Sequence, residues 1–397
     1  MARQDPLTLA VLGALSAIGP LSMALYLPAL PALTVELGAE PAHAELTVTA
    51  CMLGLAAGQM IVGPLSDRYG RRPPLLIGML LYAISSLACA FAPSLTLLIV
   101  LRFAQGAFGG AGIVIARAIV RDLCDTATAA RVFSTLVMIT SVAPVVAPLL
   151  GGQLLLVTSW KGVFVALCAI GVALLIAVVV ALPESLPAGK RHGTGNPLAP
   201  RRLAAAFGDP RFRMYASVLT LGSVMLYCYV EMSSFVLQHD FGLSAQQYSF
   251  AFATMAGGMV AAASAGSALV RRKGAGYSLT AGLVVAAAGS SALLAAAVAD
   301  VPVLVFLAIL LPTVSSVSLI VPATTALSLA DQDANIGTAS GVVGLLQFGV
   351  GGMVAPVLSA FGSITVSMAA GMACSAIAGL LVAQVAARRP AQRAAFR

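Results

Sequence analysis

Charge is what this 397-residue sequence lacks most: Asp, Glu, Lys and Arg together make up 9% of it, against about a quarter in a water-soluble chain. That shortage, with 60% hydrophobic residues and a mean hydropathy of +0.99, excludes a soluble enzyme and a disordered chain. Cysteine is also sparse. Cys51, Cys89, Cys124, Cys168, Cys228 and Cys374 stand singly, with no CxxC and no histidine at ligand spacing, so neither a disulfide framework nor a metal site is expected. The three histidines, His43, His192 and His239, fall in loops or at span edges. No apolar segment holds a Ser/His/Asp set or HExxH, which argues against membrane-embedded enzyme chemistry and any cofactor. The net charge of +8 and the pI of 9.5 are those of a membrane protein with basic cytoplasmic loops and imply no nucleic-acid partner.

What remains is apolar sequence in long runs. A bilayer-crossing helix needs about 20 mostly apolar residues, and breaks at charge and turn clusters divide the chain into twelve. These are 7–30, 44–65, 74–92, 95–117, 132–157, 161–182, 214–237, 246–270, 275–299, 302–327, 336–361 and 364–387. The first, which carries no small-residue cleavage pattern, reads as a retained span and not a signal peptide. With the N-terminus inside, all Lys and Arg except Lys161, on the outer side, and Arg102, within a span, fall in cytoplasmic segments. The positive-inside rule then predicts that both termini are cytoplasmic.

The polar, Pro- and Gly-containing stretch 184–213 reads as a linker between an N-terminal bundle (1–183) and a C-terminal bundle (214–397). A weak internal repeat agrees: APLLGGQL around Gly151 and Gly152 is echoed by GVGGMVAP around Gly351 and Gly352. Basic clusters also follow both the second span and the eighth. The expected fold is therefore an all-α integral membrane protein, with two pseudo-symmetric six-helix bundles around a central cavity.

The most specific motif is GPLSDRYGRR, with Gly63, Asp67, Arg68, Gly70, Arg71 and Arg72, placed in the turn between spans two and three. Its glycines permit close helix approach and a tight turn, and an Asp among arginines at a helix end can form a breakable charge lock. Span four and its cytoplasmic end read LRFAQGAFGGAGIVIARAIVRD, with Arg102, Gln105, Gly106, Arg117, Arg121 and Asp122; span five reads SVAPVVAPLLGGQ, with Pro144, Pro148, Gly151 and Gly152. Together these resemble the major facilitator superfamily and the helix signature of its antiporter branch. PLSMALYLPALPAL, ARAIVRD and FVLQHDFGLSAQQYSFAF resemble the bicyclomycin and chloramphenicol resistance subfamily of drug/proton antiporters. The resemblance implies proton-driven export of amphipathic drugs by alternating access in a bacterial inner membrane, with the proton gradient as energy source and a monomer as the working unit. It also implies that the fifth-span prolines and glycines lie at the interface between the halves and limit leakage.

Arg102 lies about 12 Å below the expected outer surface at about 1.5 Å per residue. A charge at that depth costs from about 2.5 to more than 10 kcal/mol unless it is paired or wet. It is either a structural arginine bonded to backbone carbonyls or a cavity residue coupled to proton or substrate. Of the 14 carboxylates only Glu231 falls inside a span, with Glu36, Glu40, Glu45, Asp240 and Asp300 assigned to the outer side. The resembled subfamily usually carries an Asp two residues before its Tyr-Leu-Pro, where this chain has Ala24 before Tyr26, Leu27 and Pro28. Glu231 is accordingly expected to take the proton, its pKa raised by burial and lowered as Arg102 approaches; the competing reading is a hydrated, idle carboxylate. Tyr26, Arg102, Gln105, Met225, Tyr227, Tyr229, Glu231 and Phe235 are the expected cavity residues, suited to a neutral or weakly cationic small molecule. A metabolite or sugar exporter of the same fold, or an uncoupled facilitator or sensor given Ala24, are the alternatives.

Overall fold

The computed structural model describes residues 6–124, 126–187, 210–329 and 346–387. The N-terminal unit, Met1–Gly195, contains α1 (Pro6–Ala24), α2 (Leu30–Leu37), α3 (Pro41–Tyr69), α4 (Arg72–Ala90), α5 (Leu95–Leu123), α6 (Thr126–Val157) and α7 (Trp160–Ala181). The C-terminal unit, Asn196–Arg397, contains α8 (Pro210–Phe235), α9 (Ala245–Lys273), α10 (Ala275–Val298), α11 (Val303–Ser315), α12 (Val317–Leu329), α13 (Gly351–Ser359) and α14 (Ile364–Ala387). Eleven stretches among the described residues are long and apolar enough to cross a membrane. The expected span 336–361 is described only from residue 346, where a π-helical turn, Leu346–Val350, leads into α13. Most of the expected linker, 188–209, lies outside the described residues.

Two expected spans are broken by prolines, which lack the N–H that an interior helical turn requires. The first ends at Ala24, passes through a 3₁₀ turn at Leu27–Ala29 that contains Pro28, and resumes as α2, with Pro31 in its first turn. The tenth divides at Ser316, four residues after Pro312. Other helices outrun the apolar runs that predict them. α3 continues to Tyr69 and α5 to Leu123, because helical hydrogen bonds persist where the side chains turn polar. Hence Ser66–Tyr69 and Ala118–Asp122, expected beyond the spans, form helix ends; only Gly70 and Arg71 form the turn.

The internal repeat is visible in backbone geometry. α3 and α9 are both 29 residues long, and each stops at a glycine with almost the same conformation: Gly70 at φ 93, ψ 166 and Gly274 at φ 86, ψ 164. That region is closed to residues with a side chain and open at little cost only to glycine. Starts are set by caps. Ser94 Oγ accepts the Leu97 amide at 3.3 Å at the head of α5. Ser244 and Gln247 exchange side-chain and backbone bonds of 3.2 and 2.9 Å at the head of α9.

Within the N-terminal unit α3 and α5 pack backbone to backbone. A Cβ on Gly54 would run into the Phe103 carbonyl, one on Gly58 into that of Ala107, and one on Gly106 into that of Cys51. This contact positions Arg102, one turn from Gly106, against the start of α3.

Candidate functional site

Arg102 is fully buried at 0% exposure, and neutral groups converge on it from three other segments. Its Nη1 donates to Gln105 Oε1 at 2.6 Å and to the Ser22 carbonyl at 3.2 Å, and its Nε donates to the Thr47 carbonyl at 3.3 Å. Gln105 is oriented in turn, its Nε2 donating to Ser86 Oγ at 2.7 Å. The Tyr26 hydroxyl lies 3.2 Å from Thr47 Oγ1, and the Ser22 hydroxyl 2.6 Å from that of Tyr82. The guanidinium also faces two rings, with Cζ 4.9 Å from the Tyr26 centroid and 5.6 Å from that of Phe164. The expected backbone-carbonyl partners are thus present, yet Nη2 is buried with no hydrogen-bond partner among the described residues. The structure brings Tyr26, Arg102 and Gln105 together with Ser22, which lies in PLSMALYLPALPAL, and with Thr47, Ser86 and Phe164, which no quoted motif contains.

A polar column rises from this cluster. Phe164 meets Trp160 edge-on at 6.1 Å, Trp160 Nε1 donates to Glu36 Oε2 at 2.6 Å, and Lys161 Nζ lies 2.6 Å from Glu36 Oε1. Glu36 and Lys161 were assigned to one side of the membrane by the sequence, but their pairing across 125 residues was not visible there.

At the other end of the unit the GPLSDRYGRR motif folds around Arg71, whose side chain is only 9% exposed. Its Nη1 bonds Asp67 Oδ1 and Ser66 Oγ, and its Nε bonds Asp122 Oδ2 at 2.9 Å. Burial works against this charge, but the hydrogen bonds from Asp122 and Asp67 outweigh it and hold the guanidinium above the ordinary arginine range. Glu184, just past α7, clasps the same turn: Oε1 accepts the Arg71 amide at 2.8 Å and Oε2 the Arg72 amide at 3.2 Å. The Ser185 hydroxyl donates to Asp122 Oδ2 at 3.0 Å, and Arg72 Nη2 to the Val179 carbonyl at 2.8 Å. A carboxylate on the first amides of α4 satisfies orphan donors at the positive end of the helix dipole. Arg68 is exposed and lies over Tyr69 at 5.3 Å; Arg117 and Arg121 are exposed on α5. None of these three has a described bond to the Arg71 cluster.

In α6, Pro144, Pro148, Gly151 and Gly152 lie within one continuous helix. A Cβ on Gly151 would strike the Leu25 carbonyl, so this glycine serves packing against the break after α1, inside the N-terminal unit.

Glu231 in α8 is fully buried. It is not, however, the sole embedded acid. Glu45, expected on the outer side, sits in the second turn of α3 and is also fully buried; its apolar run begins one residue earlier, at Ala44, which is why span-counting placed it at an edge. The other expected residues of α8 divide between two faces. At 100° per residue, Tyr227, Glu231 and Phe235 share one stripe, while Met225 and Tyr229 lie on the opposite one. All are buried, and Tyr229 stacks on Phe252 of α9 at 5.3 Å. Met225 and Tyr229 therefore do not share a surface with Glu231. Past the end of α8, Asp240 Oδ2 accepts the Thr365 hydroxyl at 2.5 Å, tying the π-helical turn Val236–Asp240 to the first turn of α14.

A sequence model of the Major Facilitator Superfamily matches residues 12–356. The chain is 34% identical over 379 residues to an MFS-type transporter, YdgK, of Bacillus subtilis (strain 168), covering 94% of this chain and 93% of that one. It is 26% identical over 363 residues to a bicyclomycin resistance protein homolog of Haemophilus influenzae, covering 90% and 88%. Among solved structures, a D-xylose–proton symporter superposes with a TM-score of 0.73 at 15% identity, covering 96% of each chain, a likeness of fold alone.

Proposed function

Because the chain belongs to the major facilitator superfamily, and is by that membership a multi-pass membrane transporter, we propose that it is a proton-coupled exporter of small amphipathic drugs. The observation that carries this reading is that each unit buries an ionisable side chain completely within a membrane-spanning helix, Arg102 in α5 and Glu231 in α8. Such residues are too costly to keep without a role in a substrate or proton path. In this reading Glu231 binds a proton and releases it on the other side while cargo moves in the opposite direction, as the units alternate in access. The kinship with a bicyclomycin resistance homolog supports drugs as cargo. The reading places the chain in a bacterial inner membrane with both termini cytoplasmic, working as a monomer with protons, lipid and drug as its partners.

The site that closes the Arg71 cluster, with Asp67, Asp122 and Glu184, supplies a breakable lock for that cycle. Ala24, where the resembled subfamily has an acid, favours a second reading: an uncoupled facilitator. One experiment separates the two. A drug-susceptibility panel in an efflux-deficient host, with and without a protonophore, is expected to show resistance that the protonophore abolishes. Resistance indifferent to the protonophore would favour the facilitator. Unchanged sensitivity to every drug, with retained secretion of a metabolite, would favour a metabolite or sugar exporter.

A further inference from the structure

Among the described residues, no carboxylate forms an ion pair with the buried cation of the N-terminal unit. Arg102 donates only to neutral oxygens, those of Gln105, Ser22 and Thr47. The rings of Tyr26 and Phe164 offset part of its charge. Such cation–π contacts recover only a small part of what burying a charge costs. The imbalance is concentrated at one atom. Nη2 is buried and partnerless, while the other two nitrogens are committed, so the guanidinium is already oriented with one donor edge unused. A buried donor left unmade keeps its full desolvation cost, which is larger when it is charged; a group that fills it recovers that cost.

We infer that Arg102 Nη2 is the docking point for a carboxylate or comparable anionic oxygen of the transported compound, so that amphipathic organic acids, not amphipathic cations, are the preferred cargo. This deepens the export reading above and rests on it. The site has both halves that such a ligand needs: a free, charge-bearing donor, and an apolar wall of the Tyr26 and Phe164 rings, whose centroids lie 5.0 Å apart. A cationic ligand would meet like charge in a medium of low dielectric, where repulsion is strongest. The guanidinium has no exposed surface; the acid enters when the site opens in an alternating-access cycle.

The molecule carries its own reporter. Trp160, the only tryptophan of the chain, touches Phe164 and is thus one ring removed from the guanidinium. Titration of its fluorescence in the full-length protein, in nanodiscs at neutral pH without a gradient, compares phenylbutanoate, phenylbutanamide and phenylbutylamine. The acid is expected to bind at least about tenfold more tightly than the amine, with the amide between. Arg102→Gln is expected to bring the acid to the level of the amide, and Arg102→Lys to keep only part of the preference, because an ammonium cannot reproduce the guanidinium fork. The ordering in the unaltered protein needs no variant to fold. Equal affinities for all three, as a water-filled site would give, or tightest binding of the amine, overturn the inference. Since no gradient is applied, loss of proton coupling leaves the ordering intact, whereas a coupled transporter that prefers the amine sinks this inference alone.

Discussion

Arg102, Arg71 and Glu184 show how differently a single charge can be treated within one bundle. Arg71 sits beside two aspartates and a glutamate that binds its backbone, whereas Arg102 is given neutral oxygens and aromatic faces. The first arrangement is a lock, the second a charge kept available. The lock has a residue-scale test. Glu184→Ala removes both carboxylate oxygens from the first amides of α4 and is expected to lower stability by roughly 1–2 kcal/mol. Glu184→Gln, which keeps one accepting oxygen, is expected to lose about half of that. Thermal unfolding in detergent reads the difference, and an unaltered midpoint for the alanine variant would contradict the clasp. The motif made Asp67 and Arg71 legible in the sequence as partners of one turn. Glu184 was not, because nothing in a polar stretch after the sixth span says which helix end it will cap.

Among the helices, the sequence located nearly every apolar run but misjudged where the helices end. Polarity marks the edge of the hydrocarbon, not the edge of the hydrogen-bonded ladder, so α3 and α5 carry the Arg71 cluster on their final turns and not on loops. The same bias hid Glu45, assigned to the water side because it stands at the start of an apolar run. Hydrophobic content alone also could not divide α8 into its two faces; the helical period does, and it separates Met225 and Tyr229 from Glu231. The α3–α5 contact offers a matched pair of substitutions. Gly58→Ala places a methyl against the Ala107 carbonyl, while Gly63→Ala, within the signature motif, meets only Val114 Cγ2 at an ordinary 3.6 Å. The first is expected to cost at least about 1–3 kcal/mol and to reduce the folded yield. The second is expected to change it little. Thermal shift and size-exclusion profiles of the two variants decide the matter, and equal behaviour would contradict the backbone packing described for this pair.

At the scale of the whole molecule, the duplication hinted at by APLLGGQL and GVGGMVAP reappears in equal lengths of α3 and α9 and in the matching glycines that end them. Membership of the superfamily agrees with the fold class expected from composition and the length of the apolar runs. The energy source belongs to a different order of question, since Ala24 occupies the position at which relatives of this kind are expected to hold an acid, and two buried glutamates, Glu45 and Glu231, are left to replace it. Reconstitution into liposomes with an imposed pH gradient asks which of them carries the proton. The account predicts gradient-driven drug accumulation by the unaltered protein, its loss in Glu231→Gln with drug exchange at equal pH preserved, and its persistence in Glu45→Gln. Gradient-driven accumulation that survives Glu231→Gln would contradict it.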